Sequence, residues 1–271
     1  MKQSYEDRYC LFLDILGFRD FVDGSTSFKR GDREKKSLHS LLAALQQIKE
    51  GVNYKDTVEV SGTMKPTSRK VTQISDSVIV SYKRNEPYSA GITSIILDVH
   101  QLQLNMTARG ILFRGAITVG PLYHDDSFIL GPALNEAVTL EKLAAYPRVI
   151  LNGESLDEAG LKKGATPDSE RTISSMVAED FDGLFFIDYF NVIPDDFFDN
   201  WYEVYDYLSR LRDVVKQISC KKDPSIKLKH MWMRAKFHSM AKKLEEGKYQ
   251  SIGSYMIPDE HQDLFREIKR F

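Results

Sequence analysis

Short apolar runs alternate with longer amphipathic stretches along this chain, and the alternation predicts most of its elements. Residues 8 to 15 are nearly continuously apolar and predict a buried strand. Leu38, Leu41, Leu42, Leu45 and Ile48 then recur at helical spacing, so a helix with one apolar face returns the chain to the sheet. Val58 and Val60 begin a β pattern, Gly62 to Ser68 is turn-like, and Arg69 to Ile74 with Val78 to Tyr82 predict a hairpin with Asp76 at its bend. Ile92, Ile95, Ile96, Val99, Leu102 and Met106 predict a second helix that stops at Gly110, and Ile111 to Val119 a further strand. The order is β-α-β-β-α-β, the split pattern of a ferredoxin-like sheet with helices on one face.

Beyond this core, Gly131-Pro132 opens a helix, since proline is tolerated in a first turn, and Arg148 to Leu151 is a short apolar strand, so an extra α-β unit follows. Residues 152 to 178 carry Gly, Pro and Ser turn signals and predict loop. Leu184 to Ile193 predicts a late strand. From Phe197 onward Trp201, Val204, Tyr205, Leu208, Leu211, Val215 and Ile218 mark a helix, and a second runs from Ile226 to about Leu244. The expectation is an α+β chain: a domain over 1–178, with 179–271 a late strand and C-terminal helices packed on that domain.

Two positions break the apolar pattern in the same way. In FLDILGF a strand carries one carboxylate, Asp14, to its end before Gly17 opens a turn, and in QISDSVIV the hairpin does the same with Asp76. A lone Asp beside an apolar strand is costly unless something binds it. Asp14 alone would be read as capping the helix after Gly17. Two such acids on neighbouring strands point to a divalent cation.

Composition limits the other readings. The 271 residues are 42% hydrophobic, 28% charged and 11% aromatic, as for a globular protein with a packed core. With 37 Lys+Arg against 39 Asp+Glu the net charge is −2, which points to no nucleic-acid partner. The acidic stretch Glu179 to Asp206 and the lysine-rich one from Lys216 to Lys248 read as solvated faces. Cys10 and Cys220 form no CxxC pair, the N-terminus has charges where a signal peptide needs an apolar core, and no apolar run reaches membrane length, so a reduced cytoplasmic protein is expected. Neither GxxxxGK[ST] nor GxGxxG occurs. His124-Asp125-Asp126 reads as a turn, because three adjacent side chains converge poorly on one ion.

FLDILGF at 12 to 18, QISDSVIV at 73 to 80 and RGAITVG…LGPALNEA between Arg114 and Ala137 together resemble the class III nucleotide cyclase catalytic domain. More narrowly, GPALNEAVTLEKLAAYPRVI is similar to the pyrimidine nucleotide cyclases of the bacterial Pycsar anti-phage system. The motifs cover about residues 8 to 151. The resemblance implies a ferredoxin-like cyclase palm in which Asp14, Asp76 and the Ile15 carbonyl bind two Mg²⁺ or Mn²⁺ ions. It implies conversion of UTP or CTP to cUMP or cCMP and pyrophosphate, by attack of the ribose 3′-hydroxyl on the α-phosphorus. Backbone N–H groups at Leu16, Gly17 and Phe18 would hold phosphate oxygens. Asn135 matches the asparagine that orients the ribose. Since the acids and this Asn come from opposite protomers in the family, a homodimer with composite sites is implied, together with a separate effector that responds to the cyclic nucleotide.

Departures from the family pattern bear on substrate. Purine-specific relatives place Lys or Glu four residues before the second metal Asp and an Asp seven before the helix Asn; here these are Thr72 and Phe128, the candidates for lining the base pocket. Phe128 reads equally as core. Thr139 stands where the family has a transition-state Arg, and Lys142, Arg114 and Arg148 are the candidate replacements, each also readable as a salt-bridge residue. The residues do not separate UTP from CTP; UTP is put first as the commoner substrate among such cyclases. The competing readings are an adenylate or guanylate cyclase, a diguanylate cyclase, disfavoured by ISDSV where a GGDEF-type signature is needed, and a degenerate domain serving as nucleotide sensor or scaffold.

Overall fold

The computed structural model describes residues 4–26, 39, 42–43, 45–46, 48, 57–87, 90–160, 171–191, 200–218, 223–252 and 255–268. In chain order the main sheet is built by β1 (Glu6–Ile15), β4 (Lys70–Ile74), β5 (Ser77–Lys83), β6 (Phe113–His124), β7 (Ile129–Leu130), β8 (Val149–Leu151), β9 (Val177–Glu179) and β10 (Phe185–Ile187). Its order is β4-β5-β1-β6-β8-β10-β9, with β7 paired to β6. The first four strands reproduce the ferredoxin-like order expected of a split βαββαβ unit: the second strand of the hairpin and the last strand both flank β1, antiparallel. β8 joins β6 in parallel through α3 (Pro132–Leu143), the extra α-β unit.

Register assigns each residue to a face, because directly opposed residues point the same way. Leu11, Val80, Val71 and Ile117 lie in one row and enter the core beneath α2 (Gly91–Thr107). The alternate residues Cys10, Phe12 and Ala116 are apolar too, so the second face also needs cover. There α3 packs on Cys10, Ile79 and Leu122, and α6 (Trp201–Ile218) with α7 (Pro224–Glu246) packs on Ala116, Ile150 and Phe186. Helices therefore flank both faces, where one face was expected.

Other expectations change at short elements. Gly62 to Ser68, read as turn, contains β3 (Thr63–Pro66), paired with β2 (Thr57–Val60) around Ser61 and Gly62, both at positive φ. The stretch read as loop over 152–178 holds α4 (Gly153–Glu158), N-capped by the Asn152 side chain, α5 (Arg171–Met176) and β9. These pieces are too short to show a period. The late strand narrows to Phe185–Ile187. Residues 39, 42–43, 45–46 and 48 are helical, with Ile48 in the core. Leu38, Leu41, Phe197 and Cys220 lie outside the described residues. Among the described residues no helix is long and apolar enough to cross a membrane.

Candidate active site

Asp14 occupies the last turn of β1's pairing, opposite Ser77 of β5 and Arg114 of β6. Asp76 sits in the β4–β5 turn, which Ser75 enters at positive φ, and its backbone carbonyl accepts from the Ile15 N–H at 3.1 Å. The turn thus folds Asp76 against the end of β1, close enough for its carboxylate to act on that of Asp14. Burial, then the nearby Asp76 and Glu141 carboxylates, push Asp14 up to about 6, against the opposing pull of Arg114. Two adjacent acids that resist joint ionisation are what a hard divalent cation relieves, so this donor set fits Mg²⁺ or Mn²⁺. Among the described residues, no cluster of three or more His, Cys, Asp or Glu has metal-holding geometry.

Gly17 follows at positive φ with open space around it, and α1 (Phe18–Thr26) begins at once. The Gly17 and Phe18 N–H groups open this helix and have no acceptor within it. Leu16 differs from expectation: its N–H donates to the Leu112 carbonyl at 2.9 Å and is spent on holding the turn to β6. It is not available to a phosphate.

Arg114 is engaged on both sides. Its Nε donates to the Glu141 carboxylate and its guanidinium lies 4.0 Å from Asp14 Oδ2. Glu141 is buried, on the α3 stripe formed with Ala133 and Ala137. That spacing, a carboxylate at the third position of an apolar i, i+4, i+8 stripe, is the sequence signal that marks it. Lys229 of α7 was absorbed into a run read as solvated. It is half-buried, and its ammonium is pushed below the usual lysine value by burial, then by Arg114, with Asp14 and Glu141 acting in the opposite sense.

The remaining candidates fall elsewhere. Asn135, Thr139 and Lys142 line the exposed side of α3, opposite the buried stripe, and the Thr139 hydroxyl donates back to the Asn135 carbonyl at 2.8 Å. None of the three has a described contact with Asp14 or Asp76. Arg148 is fully buried. It donates to Asp180, to Asp182 and to the Ala144 carbonyl at 2.9 Å, while Trp232 Nε1 donates to Asp180 at 2.6 Å and Lys236 pairs with it at 2.8 Å. This network ties the end of α3 to the 180–184 turn and α7. Arg148 is a structural ion-pair residue and leaves the set of catalytic candidates.

Thr72 is half-buried on β4, in one row with Ile79 and Phe12, next to the row of Asp14 and Ser77. Two strands and two residues separate it from Asp14, about 12 Å by strand spacing. Its hydroxyl contacts His124 Nε2 at 2.9 Å. Phe128 is 66% exposed and so is not core; it closes a turn in which Asp125 accepts from the Ser127 and Phe128 N–H groups, beside the β7 residue that pairs with His124. His124, which precedes the turn holding Phe128, thus reaches Thr72 on the face that bears Asp14.

No protein family and no curated protein matches the chain. Solved structures do match it. The adenylyl cyclase CyaB from P. aeruginosa is 14% identical with a TM-score of 0.42, over 69% of this chain and 94% of that one. The monomeric guanylyl cyclase domain of the RhoGC fusion protein from Blastocladiella emersonii is 13% identical with a TM-score of 0.45, over 69% and 98%. The guanylyl cyclase Cya2 is 10% identical with a TM-score of 0.42, over 69% and 93%. At such scores and identities these overlaps give no residue a role, which rests on motif and geometry.

Proposed function

We propose that the chain is a pyrimidine nucleotide cyclase that converts UTP or CTP to the 3′,5′-cyclic monophosphate and pyrophosphate. The observation that carries this reading is the convergence of Asp14 and Asp76 at the open end of the sheet, each at the end of an apolar strand, with the Ile15 N–H donating to the Asp76 carbonyl at 3.1 Å. Asp14 and Asp76, with the Ile15 carbonyl, would hold two Mg²⁺ or Mn²⁺ ions. Bound there, such ions supply charge neutralisation for the triphosphate and acidify the ribose 3′-hydroxyl. The bond formed is from the 3′ oxygen to the α-phosphorus, the bond broken is to the pyrophosphate oxygen, and the hydroxyl proton leaves to solvent. Catalysis by the protein is then positioning, with no side-chain base required.

Each residue has a place in that scheme. The Gly17 and Phe18 N–H groups point a helix N-terminus at phosphate oxygens. Arg114, held by Glu141, fixes the Asp14 carboxylate and is less free to follow substrate. Asn135 and Lys142, exposed on α3, would reach the nucleotide of a second copy of the chain, so the functional unit is a homodimer with two shared sites. Thr72 and Phe128 would meet the base. The product would signal to a separate effector in anti-phage defence, as the sequence resemblance suggests.

Incubation of the purified protein with each of the four nucleoside triphosphates and Mn²⁺, with products identified by mass spectrometry, tests the proposal. A cyclic pyrimidine nucleotide is expected, absent from Asp14→Ala and Asp76→Ala. A second reading, a nucleotide sensor without turnover, is favoured by Thr139, whose hydroxyl is spent within its own helix where relatives of this pattern place an Arg. It predicts saturable triphosphate binding and no cyclic product.

A further inference from the structure

The C-terminal helix α7 brings a second cation to the face of the sheet that bears Asp14. Met233 of α7 is fully buried in the core that also holds Ala116, the β6 residue opposite Phe12. Arg114 stands two residues before Ala116, so it points to the same face and lies in the row of Asp14. Lys229 stands four residues before Met233, one helical turn along the same side of α7. Of the two directions in which α7 could run from Met233, the one observed takes Lys229 toward Arg114. The charges that act on its ammonium are Arg114 first, then Asp223 at the start of its own helix, Asp14 and Glu141.

Among the described residues no hydrogen bond or ion pair falls to that ammonium, although its side chain is half-buried. Partial burial removes water from the ammonium without supplying a partner, and Arg114 adds like-charge repulsion. The balance of charge around it identifies the partner. Arg114 and Glu141 are bonded to each other and cancel. In the metal-free protein the Asp14 and Asp76 carboxylates offset Lys229 at a distance. One divalent cation bound to that pair cancels both carboxylates, and a second leaves an excess of positive charge. With either number of ions, Lys229 becomes an uncompensated cation beside a metal that keeps positions for phosphate oxygens. An anion long enough to reach both the metal and the ammonium removes the excess, and a phosphate chain carries oxygens along its length that accept from both.

Resting on the metal site of the nucleotide-cyclase reading above, we infer that Lys229 binds the phosphate chain of the metal-bound substrate, so that α7 completes the cationic side of the site from the same chain as Asp14. Lys229 touches the substrate in this account. Arg114, bonded to Glu141, positions Asp14. The C-terminal helices are then part of the active site as well as cover for the sheet.

Titration calorimetry on the full chain tests this, first with Mn²⁺ alone and then with inorganic tripolyphosphate at saturating Mn²⁺. The probe has no base and undergoes no cyclisation. Lys229→Met, which keeps the apolar stem, should weaken tripolyphosphate binding at least about tenfold, the loss of one charge-assisted hydrogen bond. Mn²⁺ affinity should stay within about twofold or tighten, because a cation near the metal is removed. Lys229→Gln should behave as Lys229→Met does, and Lys229→Arg should keep binding within about fivefold of wild type. Tripolyphosphate binding unmoved by Lys229→Met and Lys229→Gln would overturn the inference. So would a parallel loss of Mn²⁺ affinity in both variants, which marks a structural counter-charge for the acids. A wild-type protein that binds the probe through Lys229 yet forms no cyclic nucleotide contradicts the cyclase reading and supports the contact. One that forms cyclic nucleotide while Lys229→Met binds the probe as wild type does keeps that reading and overturns the contact. Absence of Mn²⁺ binding to the wild-type protein overturns both.

Discussion

Asp14 concentrates the tension of the site. Its carboxyl is raised to about 6 by burial and by Asp76 and Glu141, so ionising it at neutral pH costs stability. The folded value lies above the unfolded one, so the folded state binds more protons between about pH 4 and 6 and this group's contribution to stability falls as pH rises through that window. Asp14→Asn, neutral at every pH, should raise the melting temperature in metal-free buffer at pH 7.5 by roughly 2–4 °C, about 1 kcal/mol, while abolishing turnover. A lower melting temperature would show that the acids are not in conflict. Mn²⁺ affinity, followed by titration calorimetry, should weaken as pH falls through about 6, because binding must displace the Asp14 proton. A pH-independent affinity would remove Asp14 from the ligand set. Arg148 makes the opposite case. Buried against Asp180 and Asp182, it should cost about 3–5 kcal/mol in urea unfolding when changed to Met, since both acids lose its guanidinium and Asp180 keeps only Lys236 as a cation among the described residues. Normal stability with lost activity would restore a catalytic role. Asp14 and Asp76 were legible in the sequence because a carboxylate in an apolar run is conspicuous. Arg148 and Arg114 were not separable there, since a buried ion pair and a substrate contact use the same residue type and only their partners tell them apart.

At the scale of elements, α3 decides what its own chain can reach. It begins at Gly131, whose φ of 149° and close approach to β6 leave no room for a side chain: an added Cβ would lie 2.6 Å from the Pro121 carbonyl oxygen. Gly131→Ala should therefore destabilise the fold by about 1–3 kcal/mol or more, read as a lowered melting temperature. An unchanged one would mean α3 is not pinned there. Pinning fixes the helix rotation, with Ala133, Ala137 and Glu141 inward and Asn135, Thr139 and Lys142 outward. The helix and its start were readable from Gly131-Pro132, and so were the four strands of the split core, whose length made their periods clear. Strand β3, α4, α5 and β9 were not, because three to six residues show no periodicity and tertiary packing decides them. Cover on both faces was implied by apolar residues at successive positions of β1, a pattern that one-sided helices would have left exposed.

On the proposed reading, the molecule as a whole would present half of a site. Asp14 and Thr72 lie on one face of the sheet with Asp76 in the turn beside Asp14, while Asn135 and Lys142 look outward from α3, and no described contact joins these two helix residues to Asp14 or Asp76. A second copy that brings its α3 to the first copy's acids would resolve this, with Asn135 serving the partner's site as proposed. The measurement that tests this most directly is complementation between two variants, assayed with the nucleoside triphosphates and Mn²⁺ by mass spectrometry of the cyclic product. Asp14→Asn and Asn135→Ala should each be inactive alone. Mixed in equal amounts they should recover about a quarter of the wild-type activity, because half of the dimers are mixed and each carries one intact site. No cyclic product from the wild-type protein, or no recovery in the mixture, would contradict the account.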